Sequence, residues 1–318
     1  MRFGLILPNW GSMTRPEQLT TLAKHAEELG FYALGIGDHI IIPERIESEY
    51  PYTTTGVFTG GGGDISVKKF SGEWLEQLTV LSFLSAKTSS IRLMTTVLVL
   101  PYRHPVLTAK MLATLDVLCK GRLTVGVGVG WMREEFEALG SPPFDERGAI
   151  TDEYLHILKE AWTSESVQFH GKYHSFSGIT FLPKPIQKPH PPIWVGGESP
   201  MSMKRAAKMG DAWFPTFSNE RFPLRTPDLL KSAIERLTIY AKEAGRNIAD
   251  IEICIESYRE KDGMFLGDMD KTVSDIQSYE KLGVTYLGFN FGAWEGQNLE
   301  ETMNRMNKFS EEVMSKVN

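Results

Sequence analysis

Cysteine is scarce. Only Cys119 and Cys254 occur in 318 residues, far apart and outside any C-x-x-C pair, which excludes a disulfide-stapled scaffold and a zinc ribbon. Two reduced thiols in a cytoplasmic protein are the expectation. Long apolar runs are also missing. No window approaches the ~20 residues of a membrane-spanning helix, and "MRFGLILP" at 1–8 is too short and too soon polar for a secretory leader. No basic run offers itself to nucleic acid and there is no acidic tail. Acids and bases are interleaved, with net charge −6. H-x-H and H-E-x-x-H are absent, so no metal site is expected. "GES" at 197–199 lacks the trailing glycine of a nucleophile elbow. What remains is a small-molecule partner, with neither nucleic acid nor membrane.

What is present is an alternation of short apolar runs and helical patterns. "FGLIL" (3–7), "YALGIG" (32–37), "IRLMTTVLVL" (91–100), "RLTVGVGVG" (122–130), "PIWVGG" (192–197), "DAWFP" (211–215), "IEICIE" (251–256) and "TYLGFNF" (285–291) read as strands. Helical stretches separate them. In the first, Leu19, Leu22, Ala23, Ala26 and Leu29 recur at helical spacing, Pro16 suits the first turn with Thr14 as cap, and Gly30 stops it. Another, "ITDEYLHILKEAW", places Asp152 and Glu153 as helix-start acids. About eight strand–helix units predict an α/β fold, a TIM (β/α)8 barrel, which takes roughly 250 residues plus insertions. An open doubly wound sheet fits less well, because no G-x-G-x-x-G follows the first strand. One domain over 1–318 is expected, with insertions after strand 2 (43–72) and before strand 5 (165–191). The first contains "TGGGGD" and is a candidate lid or an idle surface loop. The second contains a hairpin turning at Gly171–Lys172.

In a barrel the chemistry sits at the C-terminal ends of the strands. Those ends carry Asp38-His39 after strand 2, Tyr102-Arg103-His104 after strand 3, Gly128-Val129-Gly130-Trp131 after strand 4 and Gly196-Gly197-Glu198-Ser199 after strand 5. Aromatics and amides with one acid–imidazole pair suit a flat, polar-edged organic ligand better than a metal. Adjacent strand residues point opposite ways, so Asp38 and His39 do not chelate together. "VGGES" followed by a helix with Lys204 and Arg205 suits an anion at a helix N-terminus, provided Glu198 points away. A tight turn with solvated basic residues is the alternative.

The stretches "FYALGIGDHI", "IRLMTTVLVLPYRHPVLTAKMLATLDVLCKGRLTVGVGVGWMREEFEALG", "FDERGAITDEYL" and "PPIWVGGESPMSMKRAAKMGDAWFP", in this order, resemble the luciferase-like monooxygenase superfamily. These are flavin- and deazaflavin-dependent TIM barrels, and the sequence looks closest to the coenzyme F420-dependent branch. The resemblance implies an oxidoreductase passing a hydride between coenzyme F420 or FMN and a small organic substrate. It makes His39 the group that donates a hydrogen bond or moves a proton at the ring, with Asp38 beside it, and imidazole titrates in the range this requires. It places the ring on a strand-three bulge at Thr95-Thr96-Val97, with a cis peptide at Thr96–Val97. Gly128, Gly130 and Trp131 are placed beside the cofactor side chain, and Gly196, Gly197 and Ser199 on its phosphate side. A homodimer is implied as well. One departure bears on the cofactor. FMN-using members have a His and a Tyr in an H-D-x-R-Y segment that touch the phosphate, where this chain reads "FDERG" with Phe144 and Gly148. That favours F420. An FMN-dependent monooxygenase using oxygen, a non-catalytic flavin-binding barrel and a phosphosugar lyase are the alternatives. The last predicts a strand-end lysine or paired carboxylates that are not seen.

Overall fold

The computed structural model describes residues 1–58, 73–257, 268–291 and 298–317. Eight parallel strands close into a barrel: Arg2–Ile6 (β1), Ala33–Ile36 (β2), Arg92–Val99 (β3), Leu123–Gly128 (β4), Ile193–Gly196 (β7), Ala212–Phe214 (β8), Glu252–Ser257 (β9) and Val284–Phe289 (β10), with β10 pairing back onto β1. The two intervening strands, Val167–His170 (β5) and Ser175–Ile179 (β6), form a separate antiparallel hairpin. Helices Pro16–Glu28 (α1), Gln77–Ser85 (α2), Pro105–Leu118 (α3), Arg133–Ala138 (α4), Arg147–Thr163 (α5), Pro200–Met209 (α6), Pro227–Glu243 (α7), Met269–Lys281 (α8) and Leu299–Phe309 (α9) connect them. This is a TIM (β/α)8 barrel. Among the described residues no helix is long and apolar enough to cross a membrane.

The expected barrel strands all occur, with ends within two residues of those read from the sequence. Three local expectations are corrected. Arg15, not Thr14, occupies the cap position of α1, and the Thr14 hydroxyl donates to Gly11 O instead. Helix α5 begins at Arg147, so Asp152 and Glu153 lie inside it rather than at its start. Glu153 accepts the backbone N–H groups of Lys172, Tyr173 and His174 and so holds the hairpin tip against α5. Helix α4, six residues long, was not foreseen, because so short a segment cannot display a helical period. The Gly-rich half of the candidate lid, 59–72, lies outside the described residues.

The barrel is filled, not hollow. Trp194, Phe214 and Tyr286 project inward from β7, β8 and β10 with ring centroids 4.9–6.1 Å apart. Small residues face them. A Cβ at Gly4 on β1 would lie 1.8 Å from the Tyr286 hydroxyl, and one at Gly35 on β2 would lie 2.6 Å from Thr96 Cγ2. The same logic shapes β3. Its register against β4 shifts between Thr95 and Leu98, and the Thr96–Val97 peptide is cis. Glycines on the neighbouring strands make room for this bulge. A Cβ at Gly126 would meet Thr95 O at 2.1 Å, and one at Gly128 would meet Val97 Cγ2 at 2.5 Å.

Candidate active site

Beyond β2 the chain crosses the C-terminal mouth of the barrel through Asp38 and His39. The two side chains enter different networks. Asp38 Oδ2 accepts from Val99 N at 2.9 Å and from Arg103 Nη1 at 2.8 Å, and its Oδ1 accepts from Arg103 Nη2 at 2.8 Å. Arg103 reaches on to Glu76 Oε1 at 2.7 Å. Burial works against the guanidinium's charge, but Asp38 and then Glu76 outweigh it and hold its pKa above the ordinary range. With no side-chain surface exposed, Asp38 ties the end of β2 to the end of β3. Asn9 does the same between β1 and β2: its amide donates to Gly37 O at 3.0 Å and to Leu75 O at 2.8 Å.

His39 Nδ1 lies 2.6 Å from Glu135 Oε2, on α4. The same oxygen accepts from the Tyr102 hydroxyl at 2.8 Å, and Oε1 accepts from Ile40 N at 2.7 Å and Ile41 N at 3.2 Å. Burial pushes the Glu135 carboxyl up, but hydrogen bonds from His39, Ile40 and Tyr102 prevail and hold it below the usual carboxylate range. Aromatic rings enclose the imidazole: Trp74 edge-on at 4.7 Å, Phe58 at 5.3 Å and Trp131 at 6.2 Å. Trp74 stacks on Trp10 at 5.7 Å, and Tyr50 packs on both Phe58 and Trp131. Residues 43–58 of the first insertion therefore contribute directly to the surroundings of His39. Among the described residues, His39 Nε2 has no hydrogen-bond partner.

The bulge forms the next part of the mouth. Val97 lies between β4 and β7, its methyl groups 2.5 Å from a would-be Cβ at Gly128 and 3.0 Å from one at Gly196. Gly128 and Gly196 are thus glycines because Val97 occupies the space. Gly197 has φ 102°, and Ser199 caps α6 by accepting from Ser202 N at 3.2 Å. The basic residues of α6 do not face this loop. Arg205 turns to α5, donating to Asp152 Oδ1 at 2.5 Å and Gly148 O at 2.9 Å, and the Lys204 ammonium lies over the Tyr240 ring at 5.1 Å. Arg205 is buried, while Lys204 is exposed on the surface of α6. Glu198 points to the loop after β8, accepting from Thr216 N at 2.7 Å and Asn219 Nδ2 at 2.6 Å. Burial pushes its carboxyl up to about 7. Gly130 has φ 81°, and its carbonyl accepts from Arg147 Nε at 3.1 Å. The Phe144 ring lies 3.9 Å from Arg147 and 4.4 Å from Arg133.

Asp38, His39, Thr95, Thr96, Val97, Gly128, Gly130, Trp131, Gly196, Gly197 and Ser199 all lie at or next to the barrel mouth, on four segments of chain. Sequence reasoning placed Tyr102 and Arg103 at the end of a strand without giving them a role, and did not single out Glu135 or Trp74. The acid pair Glu134–Glu135, three residues past Trp131, was the available signal for the first.

Known proteins resemble the chain in sequence and in fold. An uncharacterized protein of Mycobacterium bovis is 31% identical over 303 residues, 93% of this chain and 94% of its own length. The FMNH(2)-dependent dimethylsulfone monooxygenase of Pseudomonas putida is 35% identical over 180 residues, which are 56% of this chain and about half (47%) of that protein. The coenzyme F420-dependent tetrahydromethanopterin reductase of Methanopyrus kandleri shares the fold over 100% of this chain and 99% of its own, with a TM-score of 0.75 and 18% identity. The family model for luciferase-like monooxygenases matches residues 1–258. With its closed barrel and its strand-end motifs in order, the chain belongs to the luciferase-like monooxygenase family.

Proposed function

We propose that the chain is an oxidoreductase that binds a flavin-type ring at the barrel mouth, above the β3 bulge and with His39 at its edge. The observation that carries this is the pairing of a bulge packed into glycines of β4 and β7 with an imidazole held by a buried carboxylate on the same face. The residues fit such a group. Thr96 Oγ1 is buried and without a partner, the bulge offers an apolar surface at Val97, and the Gly197–Ser199 turn into α6 presents backbone N–H groups to a phosphate. When bound, the reduced ring supplies the hydride. His39 moves a proton at Nε2, the aromatic enclosure excludes water, and Asp38 keeps the β2 end in place through Arg103. Asp38 is in this proposal a positioning residue.

Coenzyme F420 is the first choice of cofactor. Phe144 stands where FMN-using members carry a phosphate-binding histidine, and its ring is taken up by two guanidinium groups. FMN with oxygen as co-substrate is the second, supported by the similarity to an FMNH(2)-dependent enzyme. Titration of the purified protein with each cofactor, followed by fluorescence, tests this. F420 is expected to bind at least tenfold more tightly than FMN. The reverse order, with product formed only in air, makes the protein a monooxygenase, and failure of both to bind removes the proposal.

A homodimer is proposed through the α2–α3 face. Helix α2 has no charged residue, and in α3 Asp116 is buried and held by Gln187. Leu107 and Leu118 on α3 are nonetheless 54% and 58% exposed, and Leu182 and Ile186 beside them 62% and 51%. Apart from Lys110, exposed on α3 with its ammonium on Leu182 O, these exposed side chains are apolar; such a patch is covered in the working protein, and a second copy supplies a matching surface by twofold symmetry.

A further inference from the structure

The hydrogen bonds around Glu135 determine which nitrogen of His39 carries the proton. Its carboxylate accepts three times, from Ile40 N, Ile41 N and the Tyr102 hydroxyl, and meets His39 Nδ1 as its fourth contact. Two of the donors, Ile40 N and Ile41 N, can only donate. The third, the Tyr102 hydroxyl, is kept protonated by burial and by the neighbouring Glu135 charge, which push its pKa far up. Three donors converging on one carboxyl favour its charged form, so it meets Nδ1 as an acceptor. The contact to His39 Nδ1 at 2.6 Å is therefore N–H to carboxylate.

We propose that Glu135 is a positioning residue that locks His39 in the Nδ1–H form, so that Nε2 alone exchanges protons with whatever occupies the barrel mouth. The proposal rests on the reading of His39 as the proton carrier and adds its direction. In the neutral ring Nε2 carries the lone pair, and the Phe58, Trp74 and Trp131 rings surround the imidazole. In the charged ring Glu135 holds the imidazolium. On delivery the Nε2–H bond breaks, its electron pair stays on nitrogen, the proton passes to the substrate atom, and Nδ1–H remains on Glu135. The other charged groups around the pair are Asp38 and Arg103, both acting on Tyr102 from the β2 and β3 ends, and Glu134 on α4. Glu134 is turned outward onto Glu47 N and Ser48 N. Asp38 and Arg103 neutralise each other, which leaves Glu135 as the charge that His39 feels most directly.

The test is 15N NMR of histidine-labelled protein above the imidazole titration. Wild type is expected to show His39 with a protonated Nδ1 and a pyridine-like Nε2. In E135Q the amide O still accepts from Ile40 and Ile41, but the amide N–H now faces Nδ1, so the hydrogen is expected on Nε2 instead. Y102F frees one acceptor site, keeps the charge, and is expected to retain the wild-type form. The same His39 form in wild type and E135Q, or hydrogen on Nε2 in wild type, overturns the proposal. If E135Q does not fold, wild type and Y102F decide it alone. Saturating FMN and F420 are added separately. If neither moves the His39 Nε2 resonance, the placement of His39 at the ring edge fails while the Glu135 result stands.

Discussion

Asp38 and His39 are neighbours in the chain and belong to separate machines. Their adjacency at the end of an apolar strand was legible, and so was the expectation that they point apart. What the sequence could not show is the partner of each, because Arg103 lies 65 residues and Glu135 96 residues away. The consequences of substitution should differ accordingly. His39→Ala is expected to lower turnover by about 10²–10⁴-fold, the usual contribution of a positioned proton-transfer group, while cofactor affinity changes less than about tenfold. Turnover equal to a surface control would remove His39 from the chemistry. Asp38→Asn leaves the buried Arg103 with Glu76 as its remaining charge partner. It is expected to cost about 1–3 kcal/mol of stability, read as a lowered urea midpoint, with the hydrogen on His39 Nδ1 unchanged.

At the scale of elements, strands were read more accurately than helix ends. A strand of this barrel is buried on both faces and appears as a continuous apolar run, whereas helix starts depend on caps and distant contacts. Helix α5 shows this: its first turn is covered by Phe144, whose position no local pattern announces. Helix α1 shows how an element is tied to the next one. Its Glu27 Oε1 accepts from Ser89 N at 2.8 Å, Ser90 N at 2.5 Å and Ile91 N at 2.9 Å, closing the loop that enters β3. Burial pushes this carboxyl up, but the backbone N–H groups of Ser90, Ile91 and Ser89 prevail and bring it down to about 2, from an ordinary 4.5. A folded-state value below the unfolded one gives stability that is present above pH 4.5 and lost as the pH falls through about 2. Glu27→Gln is therefore expected to lose about 1–2 kcal/mol at pH 7, allowing for solvent screening. The gap to wild type should close on acidification. Parallel denaturation curves at pH 7 and pH 3 would contradict the assignment.

For the whole molecule, the exposed leucines of α3 pose the main question, since a charge placed there separates fold from assembly. Leu107→Glu with Leu118→Glu is expected to halve the mass measured by light scattering and to leave the circular dichroism of the barrel intact. Wild type running as a monomer at micromolar concentration would end the dimer proposal. The barrel itself was determined by the sequence alone, through the short apolar runs of the strands, the period-3.6 apolar patterns between them and glycines such as Gly30 that stop a helix. The strand-end motifs likewise marked where a cofactor belongs. Only the tertiary structure decided which glycines are there to receive Val97, that Arg205 and Glu198 turn away from the mouth, and that a carboxylate on an unforeseen six-residue helix holds His39. The physical reason is range. Apolar periodicity is set by contacts a few residues apart, whereas the protonation and direction of a polar side chain are set by whichever donor or acceptor the closed barrel brings within 3 Å.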